Sequence, residues 1–420
     1  MLVRCAFIET YKTPFYCNNF SSHSTMSIYQ ATTSAPVNIA CIKYWGKRNE
    51  SLILPTNSSL SVTLSQDNLR STTTARADPS FAADCLWLNG KVDPIKPGGR
   101  LHTCITEMKR LRTAFEAANP DQPKIASFNV HICSFNNFPT AAGLASSASG
   151  FAALVYALAK LYALPQTPEE LSLIARRGSG SACRSLFGGF VAWDMGSDDV
   201  TGLDSKARQV APESHWPEME ALICVVNDAK KGTSSTSGMQ RTVVTSALLQ
   251  HRIGYVVPSR MADIESAIAD KRFGDFAEIT MRDSNQFHAV ALDTYPPIFY
   301  MNDVSRAIIA IITEYNRLSD QPKAAYTYDA GPNAVIYALT PNVREIAQLV
   351  LYYFPQAEKV VIGGQEVKAA LPEGFNEAVA KRWEVGSVKG LIHTRVGDGP
   401  RVLSDSEALL NAQGIPKVLA

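Results

Sequence analysis

PTAAGLASSASG, running from Pro139 to Gly150, sits between a stretch that alternates and a stretch that is almost wholly apolar. Upstream, Lys124 to Ser134 sets Ile125, Phe128, Val130 and Ile132 among polar neighbours, which predicts a strand leaving through Asn136-Asn137-Phe138-Pro139. Downstream, Phe151 to Leu164 continues a helix that should begin near Ser146. The join is built from small residues: Gly143 lets the backbone approach a ligand closely, and the free N–H groups of a helix start attract anionic oxygens. Ser146, Ser147 and Ser149 add hydroxyl donors. No Gly-Lys-Ser/Thr follows, so this is not a Walker A loop, and it is not a G-x-G-x-x-G fingerprint. Small residues equally suit a tightly packed helix with Ser146 as its N-cap, so this stretch by itself is open to both readings.

The rest of the chain limits which anions are in play. Its 420 residues, 46% hydrophobic and 19% charged, suffice for two domains with a core each. Forty Lys plus Arg against 39 Asp plus Glu leave a net charge of +1, too little for a global field that would hold nucleic acid or an anionic membrane. Any bound anion must be held locally. Eight cysteines, irregularly spaced and without a C-x-x-C pair, argue against a zinc site or a disulfide framework and fit a reducing, cytoplasmic compartment. The apolar run after the loop is interrupted by Lys160 and stopped by Pro165, too short to span a bilayer. Residues 1–27 carry Arg4 and Lys12 against Glu9 among Ser, Thr, Asn and aromatics; a leader, a disordered extension and an upstream start all fit them.

Two halves follow, a first domain over residues 28–210 and a second over 211–405, with a tail over 406–420. Ser61 to Thr63 and Ser71 to Thr74 predict half-exposed strands, and Arg100 to Ala118 predicts a helix whose Leu101, Ile105, Met108, Leu111 and Phe115 cover a sheet face. In the second half Ala221 to Val226 and Ala334 to Leu339 predict strands, and Met261 to Ala269 and Val304 to Leu318 helices. Strands and helices mix without regular alternation, which predicts an α+β fold rather than a doubly wound sheet.

Three further segments concentrate donors or a carboxylate. Lys43-Tyr44-Trp45-Gly46-Lys47 ends an apolar run with two ammonium groups and a phenol suited to a diphosphate, or else with a solvated turn. Arg176-Arg177-Gly178 reads as a helix C-terminus, but Ser179, Gly180, Ser181, Ala182, Cys183 and Arg184 continue it with a flexible backbone and donors for a carboxylate or phosphate. Glycines 178 and 180 are expected to supply positive φ. Asp329 precedes Ala330-Gly331-Pro332-Asn333, where ordinary turn chemistry is the plain reading.

Taken together, these segments resemble the GHMP small-molecule kinases, whose phosphate loop Pro139 to Ser147 follows with Ala145 in place of the second glycine. Gly143-Leu144-Ala145-Ser146-Ser147 is similar to the diphosphomevalonate decarboxylase branch, as are Lys43 to Lys47, Ser179 to Arg184 and Asp329 to Asn333. The resemblance runs from about Thr33 to near Leu403 and implies a two-domain GHMP-kinase-like fold with the active site in the cleft between the domains. It implies ATP binding by Pro139, Ala142, Gly143, Leu144, Ala145, Ser146, Ser147 and Ser149, with Mg²⁺ as helper. It also implies substrate contacts from Tyr44, Trp45, Gly46, Lys47, Arg100, Ser179 to Arg184 and Thr236. Asp329, Arg184 and Lys43 are the implied catalytic residues, and His288 is expected to be structural.

The implied reaction is ATP-dependent decarboxylation of mevalonate 5-diphosphate by a homodimer. A kinase that phosphorylates and stops would share the loop and the aspartate. A silent homologue used as a sensor would be expected to have lost Asp329, Lys43 or Arg184, and all three are present.

Overall fold

The computed structural model describes residues 28–138, 146–226 and 232–417. Pro139, Ala142, Gly143, Leu144 and Ala145 of the phosphate loop, together with residues 1–27, lie outside the described residues. Helix α1 (Arg100–Ala118) has the bounds its apolar spacing predicts. It packs with α2 (Ser146–Leu161) and α3 (Pro168–Gly178) against a six-stranded sheet. That sheet is ordered Arg401–Val402, Tyr29–Pro36, Arg70–Asp78, Asn129–Asn136, Cys85–Leu88, Lys91–Val92, and only its Asn129–Asn136 with Cys85–Leu88 pair is parallel. Thr167 caps α3 in a reciprocal box with Glu170, as a Thr-x-x-Glu start should.

Beside two short two-stranded sheets, Lys47–Asn49 with Leu54–Pro55 and Val361–Ile362 with Gln365–Glu366, two four-stranded antiparallel sheets complete the architecture. Ala207–Ala211, Phe190–Trp193, Ser59–Thr63 and Asn38–Ile42 form one, and Ala324–Tyr328, Ala334–Leu339, Met219–Val225 and Gly390–Arg395 the other. Between them runs a single core in which Ile39, Val62 and Phe190 meet Ile223, Val335 and Tyr337. Tyr337 Oη also donates to the Ile39 carbonyl at 3.1 Å. Helices α4 (Ser235–Thr245), α5 (Ala247–His251), α6 (Val257–Ala269) and α7 (Phe273–Asp293) follow in the second half, with a π-turn at Arg252–Val256 before α6. Helices α8 (Asp303–Arg317) and α9 (Thr340–Tyr353) close a further core. The chain then returns to its beginning: Arg401–Val402 pairs with Tyr29–Pro36, and Leu409 and Leu410 are buried near Cys133.

Several local expectations differ from what is observed. The strand predicted from Lys124 starts only at Asn129, because the N–H groups of Ile125 and Ala126 are taken by the Glu116 carboxylate at 2.8 and 2.9 Å. Ser59–Thr63 is buried throughout and Arg70–Asp78 nearly so, not half-exposed. Hydroxyl pairs resolve the conflict between polarity and burial: Thr73 with Ser134 at 2.9 Å, Thr32 with Thr74 at 3.0 Å, and Ser71 with Ser149 at 2.7 Å.

Candidate active site

Asn38–Ile42 ends where the first half meets the second, so the next residues, Lys43 to Lys47, emerge at the junction. There Lys43, Tyr44, Trp45 and Lys47 line a cleft of about 400 Å³ that also receives Asp329, Arg184, Arg100, Ser146 and Ser147. Lys43 Nζ donates to Asp329 Oδ1 at 2.7 Å, the Lys43 side chain being 3% exposed and that of Asp329 28%. Asp329 is the only carboxylate among the described lining residues, against Lys43, Lys47, Arg100 and Arg184. Burial pushes the Lys47 ammonium below its ordinary value, with Glu50 opposing the shift and Arg100 adding to it.

Arg184 is pinned rather than mobile. Its Nε donates to Ser61 Oγ at 3.0 Å and its Nη1 to Ser59 Oγ at 2.5 Å, while the guanidinium lies 5.9 Å from the Trp193 ring centroid. Tyr44 packs on Trp193 with centroids 4.7 Å apart. Its Oη is buried without a partner among the described residues, and burial raises its pKa well above the ordinary tyrosine value, so it remains a donor. An orphaned donor at the wall of a cationic cleft fits an anionic ligand.

The glycine-serine segment works by close approach. Gly178 and Gly180 do not have positive φ, contrary to expectation. A Cβ on Gly180 would sit 2.7 Å from the Tyr44 ring and 3.0 Å from Trp193, and one on Gly178 would sit 2.1 Å from Phe151. Ser179 shares a 3.2 Å hydrogen bond with Ser147, bringing the start of α2 and the end of α3 together. Ser181 and Thr236 line the cleft; the latter stands on α4, whose N-cap Ser234 accepts from Ser237 N.

Four expected contacts are not placed at the cleft. Ala182 and Cys183 are fully buried in the core, and Cys183 Sγ donates to the Gly180 carbonyl at 3.0 Å. Ser149 is buried against Ser71. Gly46 has φ +93° and faces Thr56 and Val243, so its part is to turn the chain. Arg176 and Arg177 hold the Ser205 carbonyl and Glu107.

Asn38 was missed from sequence. It lines the cleft, with Nδ2 donating to Ser185 Oγ at 2.7 Å and Oδ1 accepting from Arg184 at 3.3 Å. An asparagine inside an apolar strand was the available signal, since a buried amide must find partners.

With this geometry in place, comparison with known proteins is decisive. Residues 35–207 match the family model of the diphosphomevalonate decarboxylase-like N-terminal domain, and residues 221–403 that of the mevalonate 5-diphosphate decarboxylase C-terminal domain. The chain belongs to the diphosphomevalonate decarboxylase family. A family relative from Ganoderma lucidum is 67% identical over 93% of this chain and 100% of its own length, and one from Schizosaccharomyces pombe is 52% identical over 93% and 98%. A solved mevalonate 5-diphosphate decarboxylase superposes with a TM-score of 0.82 at 48% identity, covering 92% of this chain and 99% of its own. A second, the enzyme from Enterococcus faecalis, gives 0.68 at 30% identity over 90% and 99%. The α+β, two-domain GHMP-kinase-like architecture of the family is therefore that of this protein.

Proposed function

We propose that this protein catalyses the ATP-dependent decarboxylation of (R)-mevalonate 5-diphosphate to isopentenyl diphosphate, carbon dioxide, ADP and phosphate, in isoprenoid and sterol biosynthesis. The observation that carries the proposal is the 2.7 Å contact of Lys43 with Asp329 in a cleft whose other charged lining groups, among the described residues, are cations. One family structure was solved with MVAPP, AMPPCP and magnesium. The residues here fit such a ligand set: α2 begins at the cleft, its Ser146 and Ser147 line it, and hydroxyl and carboxylate oxygens are the hard donors Mg²⁺ accepts. When bound, Mg²⁺ neutralises phosphate charge.

A tertiary C3 hydroxyl is a poor leaving group and must be phosphorylated before its C–O bond breaks. Asp329 accepts the proton of that hydroxyl as it attacks the γ-phosphoryl, and Lys43 holds the carboxylate in place from Oδ1. As phosphate departs with the C–O electrons, the C1–C2 bond pair moves to form the alkene and the carboxylate leaves as carbon dioxide. Arg184, fixed by Ser59 and Ser61, orients that carboxylate, and Asp329 faces the positive character growing at C3. Tyr44, Lys47, Arg100, the Ser179 to Ser181 backbone and Thr236 grip the remote diphosphate and orient the reacting end.

Incubation with Mg²⁺-ATP and mevalonate 5-diphosphate should release ADP and carbon dioxide in equal amounts, and a chelator should stop both. ADP without gas would mean a kinase; neither product would mean a silent homologue. A kinase has no observation in its favour, since both halves match decarboxylase descriptions. Cytoplasmic placement and a homodimer complete the proposal. The six described cysteines are free, as a reducing compartment requires, and no described helix is long and apolar enough to cross a membrane. Light scattering should give the mass of two chains; a single-chain mass would remove the dimer.

A further inference from the structure

Lys43 and Asp329 stand 286 positions apart in the chain, yet both are fixed by one helix lying behind them. Asp283 of α7, wholly buried, accepts from the Lys43 backbone N–H at 2.8 Å. Arg252, also wholly buried, donates to the Lys43 carbonyl at 3.0 Å and grips both oxygens of Asp283 at 2.8 Å. Asn57 adds a second donor to the same carbonyl at 3.0 Å. Both main-chain polar groups of Lys43 are thus held by the buried Asp283–Arg252 pair, to which Arg260 adds a 3.0 Å contact with Asp283 Oδ2. The next helix residue, Ser284, accepts from the N–H of Tyr328 at 3.0 Å, immediately before Asp329.

Arg252 opens the π-turn Arg252–Val256, a kind of irregularity that is rare in helices and often marks functional positions. A buried ion pair is a weak device for stability, because apolar residues of like volume serve as well. Packing alone therefore does not explain why Asp283 and Arg252 spend hydrogen bonds on the main chain of Lys43. Burial pushes the Asp283 carboxyl up, but Arg252, the Lys43 backbone N–H and Arg260 together outweigh it and leave the group below its ordinary value.

We infer that Asp283 and Arg252, seconded by Ser284, are positioning residues for the reaction: through the main chain they set the Lys43 ammonium and the Asp329 carboxylate in register. The inference rests on the decarboxylase reading, in which those two groups act together. It predicts that Asp283→Asn lowers kcat about 100-fold, the scale of loss from a 1 Å misplacement, with KM for the diphosphate within a few-fold. Binding of the non-hydrolysable analogue AMPPCP, measured by calorimetry, should also stay within a few-fold. In a Lys43→Met background the same change should cost nothing further, because its effect passes through Lys43. Ser284→Ala, which removes one hydroxyl and leaves the ion pair intact, should lower kcat several-fold without a comparable fall in melting temperature. It keeps the inference testable if Asp283→Asn does not fold. Normal kcat in Ser284→Ala and Asp283→Asn, or a loss that multiplies undiminished in the Lys43→Met background, would overturn the inference. Near-normal turnover of Lys43→Met alone would instead remove the catalytic pairing on which it stands.

Discussion

At the scale of single residues, Asp329 combines contact with a buried ammonium at 2.7 Å and a side chain still 28% exposed. A purely structural ion pair has no need to keep its carboxylate open to a cleft. Asp329→Asn should therefore nearly abolish turnover while nucleotide affinity stays within a few-fold; a variant of near-normal rate would take Asp329 out of the mechanism. Arg184 is held at Nε and Nη1 by two serines, so its planar fork has a fixed orientation. In Arg184→Lys a flexible point charge replaces the fork, loses the serine contacts and should lower kcat by about 10-fold or more, of the order expected for one charge-assisted hydrogen bond. Full activity in that variant would mean that orientation at this position is irrelevant.

At the scale of elements, the segment between α3 and Phe190–Trp193 has to pass under two aromatic rings, and Gly180 is where it does so. Tyr44 and Trp193 are 9% and 0% exposed, so neither ring can swing aside for an added methyl group. Gly180→Ala should destabilise the fold by about 1 to 3 kcal/mol, the usual cost of overpacking, and raise KM for the diphosphate by displacing the Tyr44 phenol. Unchanged KM and melting temperature would contradict this. The same segment shows what could and could not be read from sequence. Its importance was visible in the run of donors. The reason for its glycines was not, because close approach depends on Tyr44, which follows the distant strand Asn38–Ile42. Helix α1 was legible to its ends since its apolar spacing is local. The buried threonine strands were misjudged because their hydroxyls find partners only on neighbouring strands, as Thr73 does in Ser134. Likewise Ser149 looked like a free donor, and its partner Ser71 lies 78 positions away.

At the scale of the whole molecule, the net charge of +1 conceals an uneven distribution, with four cations and one carboxylate among the described residues lining a single cleft. The motifs made the cationic members legible, and Asp283 to His288 resembles a family segment, but the clamp from Asp283 to Lys43 joins residues 240 positions apart, a pairing that no local spacing reveals. Behind the cleft, His288 also acts on global stability: it is 4% exposed, and its Nε2 has no partner among the described residues. Burial, reinforced by the nearby Lys43 charge, pushes its pKa down to about 3, while the Tyr328 backbone and Asp329 oppose the shift. In the unfolded chain the imidazole titrates near 6.5, so between that pH and about 3 the unfolded state binds a proton that the folded state refuses. Stability must then fall as the solution is acidified through this window, by about 2 kcal/mol at pH 5 from this group alone. Carboxylates contribute little above pH 5, since their ordinary values lie about one unit lower. His288→Gln removes the titrating group, so its melting temperature should fall less than that of the parent protein between pH 7 and pH 5. Equal slopes for the two proteins would mean that His288 gains its proton in the folded state as readily as in the unfolded one, and that the Lys43 side of the cleft does not repel it.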